Sequence, residues 1–209
     1  MTHSLAEPRV LLLLRIIGGI EGTKTPDRWK VQKTAFLAEA RMQEEKIGGL
    51  DYEFLKDRDG PLATGIYHDI EFLIDAGYVT RNFDPKLTLE GKRLLESMKE
   101  LYALNNDVVT PVEDILSFVS DKTSKELREM THQMKVEVGG KAYRIHDLPP
   151  YYSILQPMPA AFEKKKFKLP IGWKHTLEIL SSKGSRESLK ARVECSSRSS
   201  FIPLDKVLE

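Results

Sequence analysis

The sequence predicts a mainly α fold carrying a small β-hairpin, and three observations predict it. Apolar residues recur at helical spacing through most of the first 135 residues. Proline, threonine and glycine punctuate those runs where helices start and stop. Two short strand-like runs flank turn residues between 78 and 89.

Taken in order, Glu7 and Pro8 lead into the apolar stretch Val10 to Ile17, which the pair Gly18-Gly19 is expected to end. Because this helix is apolar on nearly all sides, it is expected to be a core element. Thr25, Pro26 and Asp27 open a second helix with Trp29, Val31, Phe36, Leu37 and Ala40 near helical spacing, stopping near Gly48-Gly49. Tyr52 to Lys56 is a short alternating stretch running into a turn at Asp57 to Pro61. A third helix, about Leu62 to Asp75, places Ile66, Ile70, Leu73 and Ile74 on one face, and Ala76-Gly77 closes it. Tyr78 to Arg81 and Lys86 to Leu89, around Asp84-Pro85, form the hairpin. Thr88 begins a fourth helix through Leu101. Pro111 is read as starting a short helix, and Thr123-Ser124 another. Leu148 to Pro170 is rich in proline and reads as a linker or extended arm. A small helix, about Trp173 to Leu180, and a Ser/Arg/Lys-rich tail complete the chain.

Helix, helix, recognition-type helix, hairpin, helix is the order of a winged helix. The expected organisation is therefore a winged-helix-like domain over 1–135, a linker or arm over 136–170, and a C-terminal extension over 171–209. The extension is a short helix and tail, a candidate partner-binding segment. Removing 171–209 is expected to spare the folded domain and abolish partner binding.

Bulk properties narrow the function classes. A formal net charge of +1 gives the whole molecule no strong pull toward nucleic acid or anionic membrane, so any phosphate attraction must be local. Hydrophobic residues at 41% are enough to bury a real core in a chain of 209 residues. The lone Cys195 cannot form an internal disulfide, which fits a reducing compartment. Val10 to Leu14 is interrupted by Arg15 and is too short for a signal or a membrane span, so a cytoplasmic protein without membrane attachment is expected.

Several segments carry a family resemblance. Val31-Gln32-Lys33 with Phe36, Leu37 and Ala38; Gly60-Pro61 with Gly65, Ile66, Tyr67, Asp69 and Ile70; Leu73 with Gly77, Tyr78 and Val79; and Leu87-Thr88 with Gly91 resemble the Panacea, or SocA-like, family. Ser124, Glu126, Leu127, Met130, Thr131 and His132 resemble that family's Thr-His box, although the aromatic-rich stretch common after it is replaced here by Gln133 to Val138. The resemblance covers about residues 8–135. It implies an antitoxin-like or proteolytic-adaptor-like protein acting by protein–protein contact. The tail, with Leu177, Ser185, Leu189 and Ile202 to Leu208, is weakly similar to the C-terminal segments of Phd/YefM-type antitoxins. Sparse apolar anchors between polar spacers can wrap a partner while staying soluble alone.

The candidate protein-binding residues are accordingly Thr131, His132, Trp173, Leu177, Ile202, Leu204 and Leu208. Trp173, like Tyr151-Tyr152, reads equally as an interface anchor or as packing onto the main domain. His132 is expected to be structural, hydrogen-bonding the end of its helix, and His68-Asp69 to lie on a solvated helix face. Arg28, Lys30, Lys33, Arg81 and Lys86 are the candidate phosphate contacts. Against a DNA role, the third helix has no Lys or Arg and carries Asp69, Glu71 and Asp75. Gly18, Gly19 and Gly22 lack the lysine of a phosphate loop, the tail serines lack a nucleophile-elbow context, and no metal-ligand spacing occurs. The expected function is that of a non-catalytic antitoxin without cofactor, whose partner is a cognate toxin. The alternatives are a winged-helix DNA-binding regulator acting on operator DNA, or a proteolytic adaptor; a homo-oligomer is a further expectation.

Overall fold

The computed structural model describes residues 4–198, with side chains through residue 191. The described residues contain nine α-helices, one 3-10 turn at Ile145–Asp147 and five short strands, so the mainly helical class with small antiparallel hairpins holds. No described helix is long and apolar enough to cross a membrane.

Helix α1, Pro8–Ile20, is the central element: Val10 to Leu14, Ile16, Ile17 and Ile20 are all buried. It continues through Gly18 and Gly19, which the sequence had suggested as its end. The reason is close packing. A Cβ on Gly18 would stand 2.6 Å from Leu95 Cδ1, and one on Gly19 only 2.5 Å from Leu116 Cδ1, so the missing side chains let neighbouring leucines seat on the helix backbone. Helix α2, Arg28–Glu44, starts where Asp27 accepts the Lys30 N–H at 2.8 Å. It is buried from Lys30 to Glu39.

The chain then forms the hairpin β1, Phe54–Asp57, and β2, Gly60–Leu62, before helix α3, Thr64–Asp75. The hairpin expected at 78–89 is reduced to one antiparallel bridge, Val79 to Leu87. Thr80 N–H still donates to Lys86 O at 2.8 Å and Thr88 N–H to Tyr78 O at 2.9 Å. Beyond them Pro85 has no N–H with which to extend the pairing. Helix α4, Leu89–Ser97, is capped by Thr88, whose hydroxyl accepts from Gly91 N and donates to Gly77 O.

Helix α5, Lys99–Leu104, precedes α6, Asn106–Val119. Pro111 lies inside α6 instead of starting it. Burial of Val108 and Val109 against the core carries the helix one turn further back. Helix α7, Ser124–Gln133, opens with a capping box in which Thr123 and Glu126 satisfy each other's backbone N–H groups.

The stretch expected as a linker lies along the core. Strands β3, Lys135–Val138, and β4, Lys141–Arg144, make a second hairpin. Strand β5, Ser153–Leu155, adds to β1, giving a sheet of order β2-β1-β5. Lys165 then bridges Ile47, and the Asn105 amide donates to Lys168 O at 2.9 Å. Backbone pairing, invisible in composition, fastens this proline-rich stretch.

Helix α8, Ile171–Leu180, is docked on the core through the fully buried Leu177. Tyr78 Oη donates to Leu180 O at 2.8 Å, and Leu5 N–H donates to Ser181 Oγ at 2.9 Å. The expectation that 171–209 can be removed without touching the folded domain is thereby corrected. Helix α9, Lys183–Arg198, follows, and Arg186 donates to Ala76 O.

Candidate functional site

Three of the sequence motifs, far apart in the chain, meet at the turn between β1 and β2. Helix α2 presents Gln32 and Lys33 to it. The Gln32 side chain pairs with Ala63 both ways, donating from Nε2 to Ala63 O and accepting from Ala63 N, each at 3.0 Å. Lys33 Nζ donates to Pro61 O at 2.8 Å. Gly60, at φ +93°, occupies a left-handed conformation that favours glycine. A Cβ there would also sit 3.0 Å from the His132 ring and 3.3 Å from Thr131 Oγ1. The Gln-Lys pair, the Gly-Pro turn and the Thr-His box are thus one assembly that holds β2 between α2 and α7.

The electrostatics follow from burial. Lys33 is 1% exposed, and desolvation pulls its pKa down to about 8, with Asp59 and Asp57 opposing and Arg128 adding to the shift. Lys30 is also lowered, chiefly by desolvation and against Asp27. His132 is lowered by burial and then by Arg128 and His146. Its ring lies 5.5 Å from that of His146, a neighbour that linear spacing did not suggest, and its Nε2 has no hydrogen-bond partner among the described residues.

The candidate phosphate contacts separate into three groups. Lys30 and Lys33 are buried, and Lys30 Nζ is held by Lys24 O at 2.8 Å and Lys122 O at 2.6 Å. Neither ammonium stands at the surface as the sequence suggested, because in both cases the aliphatic stem is core and the head finds carbonyls within the fold. Arg28 and Arg81 face the carboxylates of α3: Arg28 lies 3.8 Å from Glu71, and Arg81 lies 3.7 Å from Glu71 and 2.6 Å from Asp75. Lys86 is exposed on the loop after Pro85.

The candidate protein contacts fare differently again. Thr131 and Leu177 are fully buried, so neither is a surface anchor. Thr131 Oγ1 donates to Arg128 O at 3.1 Å, and Leu177 is a core residue. His132 and Trp173 are half-buried, Trp173 packed against the core. Ile202, Leu204 and Leu208 lie outside the described residues.

A further correction concerns Asp69, expected on a solvated face. Its carboxylate is buried, accepts from Tyr52 Oη at 2.6 Å and lies 3.1 Å from Arg9 Nε. Desolvation and then this carboxylate push the Tyr52 pKa well above its usual value. The signal in the sequence was the helical phase of Asp69, one turn before Leu73 on the face that packs inward.

Of the three α3 carboxylates, Glu71 and Asp75 remain outward, beside Arg28, Arg81 and the loop residue Phe83. Phe83 is 63% exposed, and the Arg28 guanidinium lies 6.0 Å from its ring centre. This surface is charge-compensated and carries one bare aromatic ring. Among the described residues no group of three or more His, Cys, Asp or Glu side chains is placed to hold a metal. Comparison with protein-family models, curated proteins and solved structures gives no match in any of the three.

Proposed function

We propose that this chain is an antitoxin-like protein that neutralises a partner protein by non-covalent contact, with the outward face of α3 and the adjoining loop 81–86 as part of the contact surface. The observation that carries this reading is the pairing of Arg28 and Arg81 with Glu71 and Asp75 around the exposed Phe83. A DNA-facing helix needs cations free to reach phosphates and donors free to reach base edges. Here Arg81 donates to Asp75 at 2.6 Å, both arginines stand within 3.8 Å of Glu71 so that the face carries balanced charge, and Lys30 and Lys33 lie in the interior. A charge-balanced surface around an exposed aromatic and two arginines has instead the make-up of a protein interface, where aromatic and arginine side chains carry much of the binding energy.

The test is co-expression with the product of the adjacent open reading frame, scored for growth rescue and for co-purification. Phe83→Ala and Arg81→Glu should abolish both while leaving the melting temperature unchanged. Rescue by both variants at wild-type level overturns the assignment of this face. A steeply salt-dependent affinity of the purified chain for a short DNA duplex would favour the regulator reading instead. The tail is examined separately: deletion of 199–209 should reduce rescue if the resemblance to Phd/YefM-type tails extends to function.

A further inference from the structure

A second, independent feature lies on the side of the molecule where α2, the β1–β2 turn and α7 meet. A cavity of about 250 Å³ opens there, lined by Trp29, Lys33, Asp59, Ser124, Lys125 and Arg128. Three cations face one carboxylate across it. That carboxylate, Asp59, lies 3.0 Å from Arg128 at the rim. Lys125 is 84% exposed and only 4.0 Å from Glu129, a contact too solvated to neutralise it. Glu126, in the first turn of α7, is occupied by the Thr123 N–H at 2.7 Å and the Thr123 hydroxyl at 2.8 Å.

Lys33 forms the inner wall. It is buried, yet its ammonium, with three N–H donors, has a single hydrogen-bond acceptor among the described residues, Pro61 O. A buried ammonium left with spare donors on a cavity wall is a costly arrangement unless something supplies acceptors. Its Nζ lies 6.0 Å from the centre of the Trp29 ring, which lines the same cavity. The site therefore offers spare N–H donors on Lys33, exposed cations at the mouth and an indole, while the Ser124 hydroxyl is held by Asp27 Oδ1 at 2.8 Å.

We propose that this cavity binds a small phosphate monoester carrying a flat ring, of the aryl phosphate or nucleoside monophosphate class, with the phosphate between Lys33, Lys125 and Arg128 and the ring against Trp29. An oxyanion supplies the acceptors that Lys33 lacks, and Arg128 is suited to bind it bidentately. Aromatic stacking on indole supplies preference for a ring-bearing ester over the bare ion. The proposal does not depend on the partner-binding reading, because the two surfaces share no residue.

Intrinsic fluorescence tests it. The chain has two tryptophans, Trp29 and Trp173, so the full-length Trp173→Phe variant reports Trp29 alone. Titration with phenyl phosphate, adenosine monophosphate and inorganic phosphate should give saturable quenching by the two ring-bearing probes, with inorganic phosphate weaker. Whichever ester binds more tightly identifies the source of the ring. Arg128→Gln and Lys125→Met, both at exposed positions, should each weaken binding about tenfold or more, as loss of a charge-assisted hydrogen bond implies.

Affinity should also fall as pH rises from 7 to 9. Lys33 loses its proton near 8 while a phosphate monoester, with a second pKa of about 6, stays dianionic. The groups facing Lys33 are Asp57 and Asp59 from the turn and Arg128 and His132 from α7, the last held below its ordinary pKa by burial and then by Arg128. Absence of saturable quenching, equal affinity in the Lys125→Met/Arg128→Gln double variant, or inorganic phosphate binding as tightly as either ester would overturn the proposal.

Discussion

Replacing Gln32 with leucine isolates what the Gln-Lys motif does. Leucine nearly matches the volume of glutamine, so no large cavity opens, but both bonds to Ala63 vanish. The Ala63 carbonyl still accepts from Ile66 N–H at 3.3 Å, whereas its own N–H, at a residue of 0% exposure, loses its acceptor. An orphaned buried donor costs about 1–3 kcal/mol, and the lost second bond adds about 0.5–1.5 kcal/mol. Part of that is offset because the apolar side chain needs no partner, so a net loss of about 2–3 kcal/mol is expected. For a chain of this size each kcal/mol lowers the melting temperature by about 2–4 °C, so a fall of about 4–12 °C follows. Urea denaturation followed by far-ultraviolet circular dichroism gives the free energy directly. Gln32→Glu supplies the internal control: as a carboxylate it has no donor for Ala63 O, and protonation at low pH restores one, so its deficit should shrink on acidification. A loss below about 0.5 kcal/mol for Gln32→Leu would refute the clamp.

Other substitutions address the remaining features. Glu39 is 1% exposed and burial raises its carboxyl from the ordinary 4.5 to about 7, despite bonds from Gln43 and the Asp51 N–H. Because the folded pKa lies above the unfolded one, stability is full below pH 4.5 and declines as pH rises to 7. The loss through this group is about 3 kcal/mol, and Glu39→Gln should flatten the stability–pH curve over that window. Gly60→Ala, which forces a side chain into left-handed backbone against His132 and Thr131, should cost about 2 kcal/mol or more by thermal unfolding. Leu177→Ala should destabilise by about 2–5 kcal/mol as a core truncation. An unchanged melt with lost partner capture would instead return Leu177 to the surface role that the sequence suggested.

The periodic features of the chain determined the helical class by themselves. A run as apolar as Val10 to Ile17 must be enclosed, Asp27, Thr88 and Thr123 cap helices through atoms a few residues away, and the apolar stripe of α3 fixes which side faces in. These are local effects, and local effects are written in spacing. Tertiary structure alone decided what the polar residues do. Lys30 and Lys33 read as surface cations, yet each meets a backbone carbonyl from a distant segment, and no spacing rule announces that meeting. The Gly18-Gly19 pair reads as a helix end until Leu95 and Leu116 come to rest on it. Composition marks 136–170 as a linker, but β5 finds an open edge of β1, and strand pairing depends on register between remote backbones. The physical reason is common to all of these cases. A side chain's character is carried by the residue itself, while its solvation and its partner depend on which other parts of the chain the fold brings against it.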